Sequence, residues 1–348
     1  MSFPGQLTSI TLELREIMKA DPLLRNRKLR FGKVVNENLA ESNFELRFEK
    51  ELRTELADLL ESSSDLTLSA TYDYVTSDSG DNSGRKVIQI SVSVRDSRRR
   101  ELAKLIREVN NTGDIARILG QTLTPPDTLN FAERNLAVEH SQDHPSFQTH
   151  PQRSTAIIAP GQPRYAVELR KCIGGEGTPK PIEPVSREGS AFVELGLGDT
   201  YQVVLLNFDE QFDAVAKLEI DGLDAANTFN TDGVVYPGYF IPRAVGRNPG
   251  EHIVSGWLHT VRKTNDNVFQ FVVNELGKGA VGAKNGRSSI GVINVQFFDA
   301  SEPGEIMRGR KFGETGKGQG MQIDYKLKHV QVGSEPLSII SIRYNRSL

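Results

Sequence analysis

Apolar and polar residues alternate in short runs between Tyr201 and Phe298: YQVVLLN, DAVAKLEI, VVYPGYFI, HIVSGWLH, VFQFVVN and SSIGVINVQFF. In Asp213–Ile220, residues Ala214, Ala216, Leu218 and Ile220 fall on one side, and Val215, Lys217 and Glu219 on the other. This period of two predicts a strand buried on one face, because successive side chains point to opposite faces of a sheet. Asp221-Gly222 follows at once as a tight-turn signal. Val268–Val273 and Ile290–Phe298 are rich in Val, Ile and Phe, and Met321–Val332 and Leu337–Tyr344 supply two closing strands. Short strands separated by Gly, Asn, Asp and Pro predict a mostly antiparallel β-sandwich over 191–348.

The amino-terminal third has a different rhythm. Thr8–Lys19 has the spacing of a short amphipathic helix, stopped by Asp21-Pro22. A strand at Lys28–Val35 precedes a helix over Ser42–Leu60. That helix opens on a Ser42/Glu45 capping box and carries Phe44, Phe48, Leu52 and Leu56 every fourth residue. Leu66–Tyr74 and Lys86–Val94 alternate as strands around the polar turn Ser77–Gly84. Arg98–Val109 places Leu102, Leu105, Ile106 and Val109 at helical spacing, and Asp114–Leu119 reads as a last helical turn closed by Gly120. The expectation is an α+β chain: a small βαββα domain over 1–122, a Pro/Gly/His-rich linker over 123–190, and the sandwich. Within the linker only Tyr165–Ile173 reads as a strand or a helical turn.

The amino-terminal layout and its closing run Asp114-Ile115-Ala116…Leu119-Gly120-Gln121-Thr122 resemble one superfamily of bacterial envelope domains. It includes the curli-export pore subunit, the lipoprotein activators of penicillin-binding proteins and the amino-terminal domain of TolB. The resemblance implies a tendency to form protein–protein contacts or rings, and no catalytic residue. The carboxyl-terminal half resembles uncharacterised bacterial β-domains through Ile220–Leu223, Gly238–Pro242, Ser255–Trp257, Phe269–Phe271 and Ile290–Val295. That similarity implies a fold and nothing further.

Composition narrows the function classes. The chain has 348 residues, 25% of them charged, with a formal net charge of −3. Such a balance creates no field that demands nucleic acid or a membrane surface. The one cysteine, Cys172, excludes an intrachain disulfide framework. The run MSFPGQLTSITLELREIMK is broken by Glu13 and Arg15 and lacks a signal-peptide core. The default location is then the cytoplasm, with export by a non-classical route left open.

Candidate chemistry is sparse. His140 and His144 have H-x3-H spacing that would clip a metal on a helix, with Glu139 or Asp143 beside them. Pro145 and the polar surroundings, which include His150, favour a solvated linker. No thiol-enzyme signature surrounds Cys172. Gly313-x-x-Gly316-Lys317-Gly318 has the wrong spacing for a phosphate loop. A hydrolase site assembled from His252 or His259 with a distant Asp ranks last. Arg308, Arg310, Lys311 and Lys317 form a basic run in a glycine-rich stretch suited to an anionic partner or a neighbouring subunit. Tyr236, Tyr239 and Trp257 are the aromatic candidates for a carbohydrate or protein platform, although Trp257 reads first as a core residue. The leading expectation is a non-enzymatic self-assembling or adaptor protein that partners itself or another protein. It needs no cofactor, catalytic group or metal. A sandwich binding a carbohydrate or an anionic polymer is the alternative.

Overall fold

The computed structural model describes residues 2–36, 44–78, 80, 83–128, 130–173, 177–262, 267–274, 290–301, 320–321 and 327–345. The chain is α+β and divides into two compact units. One comprises Met1–Leu119 and Thr128–Glu139, the other Gly120–Asp127 and His140–Leu348. No helix among the described residues is long and apolar enough to cross a membrane.

In the first unit, helix α1 (Phe3–Ala20) buries Phe3, Leu7, Ile10, Leu14 and Met18, the stripe its spacing dictates. Strand β1 (Arg30–Asn36) leads to α2 (Phe44–Glu55). Phe44, Phe48, Leu52 and Leu56 are all buried; Phe44 and Phe48 stack on one another, and Phe3 and Tyr72 each meet both rings edge to face. The helix expected to reach Leu60 ends at Glu55 and gives way to a 3-10 turn over Ala57–Leu59. Its predicted cap Ser42 lies outside the described residues. Strands β2 (Thr67–Thr76), β3 (Lys86–Arg95) and β4 (Glu101–Val109) complete a sheet in the order β1-β2-β3-β4, in which only the β1–β2 pair is parallel.

β4 corrects the helix expected over Arg98–Val109. Leu102, Leu105, Ile106 and Val109 satisfy a 3.6-residue period, but the stretch pairs along β3 from Arg95↔Glu101 to Ile88↔Val109. Ile106 is consequently left 44% exposed while Leu105 and Val109 point inward. Ladder pairing with an existing strand outweighs helical spacing. The unit therefore runs β-α-β-β-β-α after α1, as far as α3 (Thr112–Leu119), and takes in the first part of one more helix. Helix α4 (Phe131–Asp143) follows, and the boundary between the units falls within it, after Glu139.

The second unit is a sandwich of two sheets, and it corrects the linker expected over 123–190. That stretch forms the whole of α4, which enters this unit from His140 onward, and the strands β5 (Gln148–His150), β6 (Arg153–Ala159), β7 (Gln162–Cys172), β8 (Lys180–Pro181) and β9 (Val185–Arg187). The chain continues through β10 (Ser190–Glu194), β11 (Thr200–Asn207), β12 (Asp213–Ile220), β13 (Leu223–Asp224), β14 (Tyr239–Ile241) and β15 (Gly250–Val254). It ends with β16 (Gly256–Leu258), β17 (Val268–Val272), β18 (Ile290–Ser301), β19 (Gly320–Met321), β20 (Gln331–Val332) and β21 (Ser338–Asn345). Of the expected VVYPGYFI strand only Tyr239–Ile241 pairs.

One sheet runs β13-β12-β18-β21-β10-β9, with β14 on β12 and β20 on β18. The other runs β16-β17-β11-β7-β6-β5, with β15, β19 and β8 attached. All pairings in this unit are antiparallel except β10 with β21. Ala216, Leu218, Val295 and Ile340 of the first sheet share one buried core with Tyr165, Val167, Val203 and Trp257 of the second. The other face of β12 uses Val215, which packs with Phe298, Ala300 and Val332. Asp221 and Gly222 both adopt positive φ, 51° and 81°, as a type I′ turn requires.

Candidate functional site

The three aromatic candidates fall at different depths. Trp257 on β16 is 5% exposed and meets Phe271 edge to face at 4.8 Å. Tyr239 on β14 is 4% exposed and lies beside His252. Both belong to the core, so neither offers a ring face to a ligand. Tyr236 is half-buried, and its hydroxyl donates to Asp232 at 3.0 Å. Burial, together with Asp232, pushes the Tyr236 phenol up to about 12. Asp232 also accepts from the Thr260 hydroxyl and from Val261 N. Burial alone would raise its carboxyl, but these donors hold it below the usual carboxylate range. Tyr236 thus helps order a loop. Arg308, Arg310, Lys311 and Lys317 lie outside the described residues.

The remaining candidates are engaged locally. His252 and His259 each place Nδ1 on a backbone carbonyl, of Phe240 at 3.0 Å and Phe229 at 2.9 Å. The buried Cys172 thiol donates to Gly177 O at 3.2 Å. His150 is buried and stacked on Phe208 at 3.6 Å. His140 and His144, in contrast, are exposed and stack on one another at 4.9 Å. No group of three His, Cys, Asp or Glu side chains converges among the described residues.

The structure instead opens a groove of about 760 Å³ along the ends of β7 and β10 and the short strands β8 and β9. Ile173 and Val185, both largely exposed, give it apolar surface above Ile182, Phe192 and Val193, which are buried. Its charged lining is mixed: Lys171, Lys180 and Arg187 stand against Glu183 and Glu194, and Lys171 also faces Asp199 at 3.6 Å. Lys171 Nζ is held by Glu194 O at 2.7 Å, and the Arg187 guanidinium lies 5.0 Å from the Phe192 ring centre.

The outer wall of the groove is a sheet edge. β9 ends the strand order of its sheet, all three of its residues are exposed, and Val185 is 52% exposed. It joins β10 through Glu188 and Gly189, with φ of 49° and 80°, a two-residue type I′ hairpin. In such a hairpin the flanking pair Arg187↔Ser190 is hydrogen-bonded, and ladder bonding alternates from there. Ser186, opposite Ala191, therefore turns its backbone N–H and C=O away from β10 and toward the open edge. Gly189 is obligatory for a second reason: a Cβ there would stand 1.9 Å from Pro145 O.

The sequence concealed this site because it is assembled from residues 171–194, where Pro and Gly punctuation suggested a linker. The alternation in Tyr165–Cys172 was the available signal. Tyr165, Val167 and Leu169 enter the core, while Glu168 between them turns to the opposite face. There, with no exposed side-chain surface, Glu168 binds Arg153 through Nε and Nη2, both at 2.6 Å, and Arg170 Nε at 2.8 Å. It also accepts from the Thr155 hydroxyl. Glu251 receives weaker contacts at 3.4 Å from both arginines. Two cations and two anions balance, so this network reads as a staple joining β6, β7 and β15.

No family model, curated protein or solved structure matches the chain.

Proposed function

We propose that this chain is a non-enzymatic assembly protein whose second unit recruits a further copy of itself by adding a strand to the edge of β9. The observation that carries the reading is the exposed Val185–Arg187 edge, with its outward-facing Ser186 backbone, beside an apolar groove. An exposed edge is a template for pairing unless it is covered or blocked. Strand addition takes its affinity from main-chain hydrogen bonds and its selectivity from apolar contacts to alternate side chains, the combination offered here by β9 and the exposed Ile173 and Val185.

Light scattering after size exclusion, over a hundredfold concentration range, tests the reading. A mass that rises to a defined oligomer, and falls back toward 38.5 kDa in Ser186→Pro, supports it. Proline removes the outward N–H and leaves the Arg187–Ser190 pair intact. A wild-type chain that stays monomeric throughout would overturn it.

A further inference from the structure

Outside that groove, the carboxyl end of α4 holds a second arrangement. His140 lies in the helix, and His144 N bonds His140 O at 2.9 Å, so the helical turn extends through His144. Residues four apart on a helix share a face. Both rings are exposed, and they stand face to face with centres 4.9 Å apart and planes 26° apart. The backbone beneath them is pinned on both sides. Ser141, buried between the two histidines, donates its hydroxyl to Thr122 O at 3.0 Å, and Thr122 in turn bonds Ser341 of β21. Pro145, directly after His144, packs its carbonyl against Gly189 so closely that no side chain fits there.

We infer that His140 and His144 form a two-imidazole site for a borderline divalent transition-metal ion of the Zn²⁺, Ni²⁺ or Cu²⁺ class. Imidazole suits these ions and not Mg²⁺ or Ca²⁺, which prefer oxygen ligands. Two nitrogens at 2.0–2.1 Å from a tetrahedral ion stand about 3.3 Å apart, within reach of side chains on adjacent turns of one helix face. The negative end of the helix dipole favours a cation at this terminus. Water fills the remaining positions; Asp143, exposed and next to His144 in sequence, adds a carboxylate to the same turn.

The test is titration of the full chain with Zn²⁺ by calorimetry, repeated with Ni²⁺, in wild type, His140→Ala, His144→Ala and His329→Ala. His329 is an exposed histidine distant in sequence and serves as the control. Because all three rings are exposed, the variants should keep the wild-type circular dichroism and melting temperature, which are checked first. The expected result is one ion per chain with affinity lowered about tenfold or more by either His140→Ala or His144→Ala, since losing a ligand costs no less than losing a group that only orients one, and unchanged in His329→Ala. No binding by the wild type at millimolar ion, or equal affinity in all four chains, overturns the assignment.

Discussion

Replacing Glu168 should be among the most damaging single changes to the second unit. The side chain has no exposed surface and receives a bidentate Arg153, Arg170 Nε and the Thr155 hydroxyl. Glu168→Ala strands two guanidiniums whose side chains are only 25% and 20% exposed, with Glu251 at 3.4 Å as their remaining anion. Breaking a buried ion pair costs about 3–5 kcal/mol. Because both arginines reach water and keep Glu251, the lower end applies, about 3 kcal/mol. For a domain of this size that is a fall of roughly 6–12 °C in melting temperature. Urea unfolding by circular dichroism measures it, with the slope unchanged if only stability moves. The triple change Arg153→Met, Glu168→Leu, Arg170→Met should recover most of the loss, since apolar groups of similar volume replace a buried network at little cost.

The acid arm of the stability curve gives an independent reading. Burial pushes the Glu168 carboxyl up, but the donors from Arg153, Thr155 and Arg170 outweigh it and leave it below the usual range. A carboxyl depressed in the folded state stabilises fully above its unfolded value of about 4.3 and stops doing so as pH falls through the folded value. Glu168→Gln should therefore flatten the loss of stability below about pH 4. A Glu168→Ala protein within about 0.5 kcal/mol of wild type, as for an ordinary surface change, would refute the reasoning.

Other expectations follow from single contacts. Burial holds His150 and His252 below the ordinary imidazole range against their hydrogen bonds to the Pro163 and Phe240 backbone. The unfolded chain then binds more protons below about pH 6.5, so melting temperature should fall from pH 7.5 to 5.5, less steeply in His252→Gln. A Cβ on Gly256 would lie 2.0 Å from Phe269 O, so Gly256→Ala should separate β16 from β17 and cost at least about 2 kcal/mol by urea unfolding. Trp257 should show a blue-shifted emission that acrylamide barely quenches, because it is buried against Phe271.

How much could be read from the sequence depended on whether one signal acted alone. β12 runs from Asp213 to Ile220, as its alternation requires, and the turn after it has the φ values that Asp-Gly favours. α1 and α2 were legible because their apolar stripes match the face they bury. β4 was misread because Leu102, Leu105, Ile106 and Val109 fit a helix, and only pairing with β3 decides otherwise. β7 was obscured by Glu168, Arg170 and Lys171, whose charges are neutralised by partners on other strands and loops: Arg153 for Glu168, Glu251 for Arg170 and Asp199 for Lys171. The groove was least legible of all: its wall is a strand whose partner β10 is itself held by β21 at the other end of the unit.

Assembly through β9 is tested most directly by the exchange rate of the Ser186 amide, followed by mass spectrometry or NMR as protein concentration is raised. Protection that appears with oligomer formation and is lost on dilution is the expected result. An amide that exchanges at the unprotected rate at every concentration, while scattering reports an oligomer, would place the interface elsewhere and contradict the account.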